Sequence, residues 1–118
     1  MAIQIRSRLT ASPNPTSLPR RIDFRQTLRS NQDGEPVVLE YQLDPEHDVW
    51  FVDADDKLVK TIQRSVQVSR ADQPVLTRIP LQRGPGTGPM VSVQIDQTIT
   101  DSAGIKIPDG CVLGLTPN

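Results

Sequence analysis

Val91-Ser92-Val93-Gln94-Ile95-Asp96-Gln97-Thr98-Ile99-Thr100 is the stretch whose reading decides the fold. Val91, Val93, Ile95, Gln97 and Ile99 share one side of an extended chain, and Ser92, Gln94, Asp96, Thr98 and Thr100 share the other. A period of two over ten residues belongs to a strand with one dry face and one wet face. Downstream, Asp101-Ser102-Ala103-Gly104 is turn chemistry, 105–107 a short strand, Pro108-Asp109-Gly110 a second turn and 111–115 a last strand. The segment reads as an antiparallel meander.

Working back toward the start, the same period recurs. Arg83-Gly84-Pro85-Gly86-Thr87-Gly88-Pro89 is a flexible loop. Val75, Thr77, Ile79 and Leu81 alternate with polar positions, but Pro74 and Pro80 each withhold a backbone N–H, which predicts an edge strand or an exposed connection. Val37, Leu39, Tyr41 and Leu43 form one face of a core strand; Asp44-Pro45-Glu46-His47-Asp48 turns the chain, Val49-Trp50-Phe51-Val52 follows as a short strand, and 53–57 is a tight polar turn. The run 58–68 fits either a helical stripe (Leu58, Ile62, Val66) or one face of a strand, and its Val, Ile and Thr content favours strand. Ile22, Phe24, Gln26 and Leu28 oppose Asp23, Arg25, Thr27 and Arg29, and Ile3 and Ile5 begin another alternation. Between them, Pro13, Pro15 and Pro19 make 10–21 an extended linker.

Composition agrees. The 118 residues suit one domain and exclude a multi-domain enzyme or a large α/β barrel. Val and Ile together outnumber Leu and Ala by 20 to 15, and β-branched side chains lose less freedom in strands than in helices. The expected fold is all-β, a small antiparallel sandwich or barrel at 31–118, preceded by an extended, Pro-rich, basic N-terminal arm with short strands at 1–30. No apolar run is long enough to span a bilayer, and the first eight residues lack an apolar signal core, so the chain is expected to be unexported and away from membranes. Cys111 is the single cysteine, which rules out an internal disulfide.

The net charge of −1 conceals segregation. Residues 1–30 hold six arginines against Asp23, net +5; residues 31–56 hold nine acids and no Lys or Arg, net −9; the remainder nets +3. Salt screens exposed charges beyond about 8 Å, so such blocks act mostly on partners. Head-to-tail docking of the basic block on a neighbour's acidic block is one reading and a patchily charged solvated surface is another. The acidic whole and the lack of aromatics among the arginines argue against nucleic acid.

Chemical motifs fail on inspection. Asp53-Ala54-Asp55-Asp56-Lys57 starts like a calcium loop, but its fifth, sixth and twelfth positions are Lys57, Leu58 and Arg64. The Gly84–Pro89 run lacks the Gly-Lys-Ser/Thr of a phosphate loop. Asp101-Ser102-Ala103-Gly104 interposes Ala103 in an aspartic-protease-like turn, which a plain type I turn explains. One His and one Cys cannot build a structural zinc site, and Cys111 reads as a small core residue; His47 with Cys111 is the one nucleophile and base pair available to a hydrolase. The expectation is no enzyme, no metal and no cofactor. Trp50, beside Phe51 and with Tyr41 near in sequence, is a core anchor or an aromatic platform.

A β-rich chain poor in Cys, rich in Thr, Gln, Asp and Val, and carrying an extended arm and loops resembles small bacteriophage virion proteins of the head-decoration, cement, tail-tube or adaptor type. That resemblance covers the whole chain at the level of class, with no signature motif. It implies a non-enzymatic structural or assembly subunit, located in a virion if viral and otherwise cytoplasmic, that associates with itself or with other virion proteins. On this reading Arg20, Arg21, Arg25 and Arg29 dock on a neighbour's acidic stretch, including Asp53, Asp55 and Asp56. The alternative is a β-sandwich binding module for a glycan or peptide that uses Trp50, Tyr41 and the 53–56 turn.

Overall fold

A computed structural model describes residues 3–86 and 91–116. Among the described residues are nine strands: β1 Ile3–Ser12, β2 Arg20–Ser30, β3 Glu35–Leu43, β4 Val49–Val52, β5 Leu58–Val59, β6 Thr61–Val68, β7 Gln73–Arg83, β8 Ser92–Thr100 and β9 Lys106–Gly114. They form two antiparallel sheets, ordered β1-β2-β7-β4-β5 and β6-β3-β8-β9, packed face to face as a sandwich. No helix among the described residues is long and apolar enough to cross a membrane.

Alternation fills the space between the sheets. Val37, Leu39, Tyr41 and Leu43 of β3 meet Ile22, Phe24 and Leu28 of β2, and Val93, Ile95 and Ile99 of β8 complete the centre, all essentially inaccessible to water. The Phe24 and Tyr41 rings stand 5.5 Å apart, tilted by 37°. The ambiguous run 58–68 is strand: β5 closes a hairpin with β4, and β6 pairs with β3 after a bend at Lys60 that carries the chain from one sheet to the other.

Three expectations need correction. Residues 3–12 and 20–30 are no free arm: β2 lies inside the five-stranded sheet between β1 and β7, and Ile22, Phe24 and Leu28 are core residues. Burying such side chains is worth about 1.5–3 kcal/mol each, more than an exposed arm could recover. Second, β7 is an interior strand. Gly84 donates its N–H to Asp48 O (2.9 Å), which sets the phase of the β4–β7 ladder: even-numbered β7 residues face β4 and odd ones face β2. Pro74 and Pro80 are even, so their missing N–H groups cost the β2 ladder nothing, and pairing with β4 stops at Leu81. Third, Pro108-Asp109-Gly110 lies within a continuous β9, with the proline's missing donor turned to the outer edge. Val91 is 79% exposed and precedes its strand. Of the Gly-Pro loop, Thr87, Gly88 and Pro89 lie outside the described residues.

Two in-phase polar residues bind the sheets to each other. Gln26 of β2 donates to Gln97 Oε1 at 2.9 Å, and Gln97 of β8 donates back to Gln26 Oε1 at 2.5 Å. The second N–H of Gln26 points at Asp109 Oδ2 (3.4 Å), which also accepts the Leu9 backbone N–H at 2.9 Å. This buried network pins β1 to β9 and β2 to β8. At one end of the sandwich, Glu35, fully buried, accepts from Ser30 Oγ and from the Ser102 N–H and Oγ (3.3 and 3.0 Å), tying two turns together.

Replacing Gln97 with Leu strands the Gln26 amide in the core and should cost about 1–3 kcal/mol in urea unfolding. The double change Gln26→Leu with Gln97→Leu should cost less than the two single changes together. Strict additivity would show that the two amides do not act as a pair.

Candidate functional site

Because β2 alternates, its odd residues all leave the core on one side. Arg21, Arg25 and Arg29 project from the outer face of the five-stranded sheet at four-residue intervals, about 13 Å apart. Arg78 of β7 lies opposite Asp23, and Arg6 sits where β1 bulges at the other end of the row, near Leu28 and Arg29. Asp23 serves two guanidiniums, Arg25 Nη2 and Arg78 Nε, each at 3.4 Å, while Arg6 meets Asp72 at 3.4 Å. Arg20, Arg21 and Arg29 have no carboxylate within 4.0 Å among the described residues. The face therefore carries five guanidiniums against two carboxylates. Arg20 shares the odd row's exposure but has the opposite parity, at the start of β2. The basic block of the sequence is thus a fixed row on a rigid strand.

The acidic block splits. Asp44 and Glu46 lie in the β3–β4 loop, and Asp53, Asp55 and Asp56 in the β4–β5 turn. Asp53 Oδ1 accepts the N–H groups of Asp55 and Lys57 (2.8 and 2.9 Å), so it builds the turn, whereas Asp55 and Asp56 point to solvent. Asp56 takes φ of 60°, a conformation Asp tolerates better than most residues. With β7 between them, the arginine row and the acidic turn form separate patches of opposite sign on one sheet.

The aromatic platform is not assembled. Tyr41 is fully buried, and its hydroxyl donates to Thr77 Oγ1 at 3.0 Å. Trp50 is half-buried; its Nε1 donates to Asp48 Oδ1 (2.8 Å), and the Lys60 ammonium sits 4.1 Å from its ring centroid. Lys60 Nζ also donates to the carbonyls of Asp44 (3.2 Å), Val49 (2.8 Å) and His47. Lys60 thus occupies the β3–β4 corner as a bound cation would, against a ring face that a ligand would need. Gly84 is required here, because a Cβ at that position would collide with the Asp48 carboxylate and the Trp50 indole.

Nor do the catalytic candidates meet. Cys111 lies on the inner side of β9, half-buried, and burial first and the Asp109 carboxylate second push its thiol up to about 11. His47 lies in the β3–β4 loop, and no hydrogen bond joins it to Cys111. Among the described residues no three His, Cys, Asp or Glu side chains are grouped to hold a metal ion. The residues that sequence reasoning passed over, Lys60 and Asp109, are structural; Gln26 and Gln97 carried a visible signal as polar residues in apolar phase.

Lys60→Met should lower stability by about 2 kcal/mol and shift the emission of the sole tryptophan, Trp50. An unchanged unfolding midpoint would refute the corner's role. At pH 8 only about one in a thousand Cys111 thiols is ionised, so labelling of native protein should be far slower than in urea and should accelerate as pH approaches 11. No protein-family model matches this chain, and no curated protein is similar to it.

Proposed function

We propose that this chain is a non-enzymatic structural subunit of a larger assembly, of the kind that decorates or connects parts of a phage virion, and that it docks through its arginine face on an acidic surface. The observation that carries the reading is the row Arg21, Arg25 and Arg29 on an interior strand, in excess over the nearby carboxylates. The sheet fixes the spacing of these arginines, and their planar guanidinium forks match carboxylates. The exposed Asp55 and Asp56 of a neighbouring copy offer such carboxylates, which gives head-to-tail contact between unlike patches. Where such contacts do not close into a ring they extend, as an assembly subunit requires.

The test is association at low ionic strength. Arg21→Glu with Arg25→Glu and Arg29→Glu should weaken it at least about tenfold, leave the unfolding free energy within about 0.5 kcal/mol of the parent, and be partly rescued by mixing with Asp55→Lys. Absence of any association that responds both to salt and to these substitutions would exclude the arginine face. Recovery of the chain at stoichiometric copy number in purified particles tests the virion assignment separately.

A further inference from the structure

Among the described residues most strand edges of the sandwich are blunted, and one long edge is not. β1 carries two irregularities in its pairing with β2 and presents Arg6 and Arg8; β5 is two residues long. On β9 the outer groups of Val112 and Gly114 are claimed by the segment 13–19 that crosses between β1 and β2, Pro108 offers no N–H and the Gly110 N–H goes to Asp109. Asn14 donates to Val112 O and accepts from Gly114 N, both at 2.8 Å, and Thr16 N–H donates to Gly114 O at 2.9 Å. Below Leu81 the uncovered edge of β7 has Pro74 and Pro80, and Arg64 takes the Leu76 carbonyl. These are the devices by which sheets avoid unplanned pairing.

The exception is β6. It pairs with β3 alone, contains no proline or lysine, and runs eight residues without a bulge. Leu43 N–H donates to Lys60 O at 2.9 Å, which fixes the phase: even residues of β6 bond to β3, and Thr61, Gln63, Ser65 and Gln67 turn both backbone groups outward. All four are exposed, and their side chains are uncharged.

We infer that the β6 edge is a self-pairing surface, on which a second copy of this chain adds its own β6 antiparallel across a two-fold axis at Ser65, joining two four-stranded sheets into one of eight strands. A second copy is the occupant because the outward row Gln63, Ser65 and Gln67 is uncharged and reads the same in both directions, so it meets itself across a two-fold axis. The pairing sets Ser65 opposite the partner's Ser65 and Gln63 opposite the partner's Gln67, and it makes about six backbone hydrogen bonds. On the inner side it sets Arg64 opposite the partner's Val66 and Ile62 opposite the partner's Val68. Centring the axis on Arg64 instead would oppose two guanidiniums, which disfavours that register. An isologous contact of this kind closes after two copies and leaves the arginine face free, so it does not rest on the docking proposed above.

Light scattering of the full chain at high salt, where charge docking through the arginine face is screened, should give a dimer. Ser65→Lys, an exposed change that puts two cations at the axis, and Ser65→Pro, which removes an outward N–H without touching the β3 ladder, should each weaken dimerisation at least about tenfold while the monomer stays folded by circular dichroism. In a Cys111→Ser background, Ser65→Cys should form an intermolecular disulfide on mild oxidation. Gln67→Cys should not, because the two Gln67 positions lie about 13 Å apart in this register. A monomer at every concentration, or cross-linking through Gln67→Cys as fast as through Ser65→Cys, would overturn the inference. Reversing Arg21, Arg25 and Arg29 should leave this dimer intact, so the two surfaces fail or stand separately.

Discussion

A backbone N–H or C=O at the rim of a sheet has to be paired, blocked or left in water, and most of this molecule is arranged around that constraint. Two sheets give four rims, and a chain of this length cannot close them all by continuing the ladder. The solutions here are local and varied: an asparagine side chain that imitates a strand, a crossing segment that lies along β9, prolines placed where a donor is not needed, and an arginine that reaches across to a lone carbonyl. The parity of the prolines is decisive. Moved by one residue, Pro74 or Pro80 would delete a bond between β2 and β7 and break the sheet at its centre.

Apolar packing alone would let the two sheets slide, because it is non-directional. The Gln26–Gln97 pair, extended by Asp109, supplies direction where the stack is driest. Each member is costly to bury singly and harmless only when the others are in place, so the network selects one alignment of the sheets. Lys60 plays the matching part at the corner between sheets, collecting three carbonyls that the β3–β4 loop leaves without a ladder. Rigid placement of the sheets is what turns Arg21, Arg25 and Arg29 into a surface with fixed spacing.

Much of this was legible in the residues. The alternations at 22–28, 37–43 and 92–99 put the right side chains inside, and the hairpin at 53–57 followed from its acids and from Leu58 resuming the strand. Gln26 and Gln97 stood out as polar residues in apolar phase, though nothing in the chain says that they face each other. Prolines at 13, 15 and 19 signal departure from a sheet, and they do mark the segment that crosses between β1 and β2; they do not show that the chain returns to a seat between β1 and β7, so the basic segment reads as an arm and folds as a core strand. Pro108 misled in the same way, since a proline reads as a stop unless its neighbours across the ladder are known.

The sequence by itself determined which face of each strand is dry, where most turns fall and that opposite charges occupy different thirds of the chain, because these depend on residues a few positions apart. Tertiary structure decided that the arginines form a row on an interior strand, that Tyr41 is buried while Trp50 carries Lys60 against its ring, and that the β6 edge is left open along its length. Those properties depend on which strand lies beside which. In an antiparallel sandwich such neighbours are mostly distant along the chain, so they emerge only when the sheets assemble.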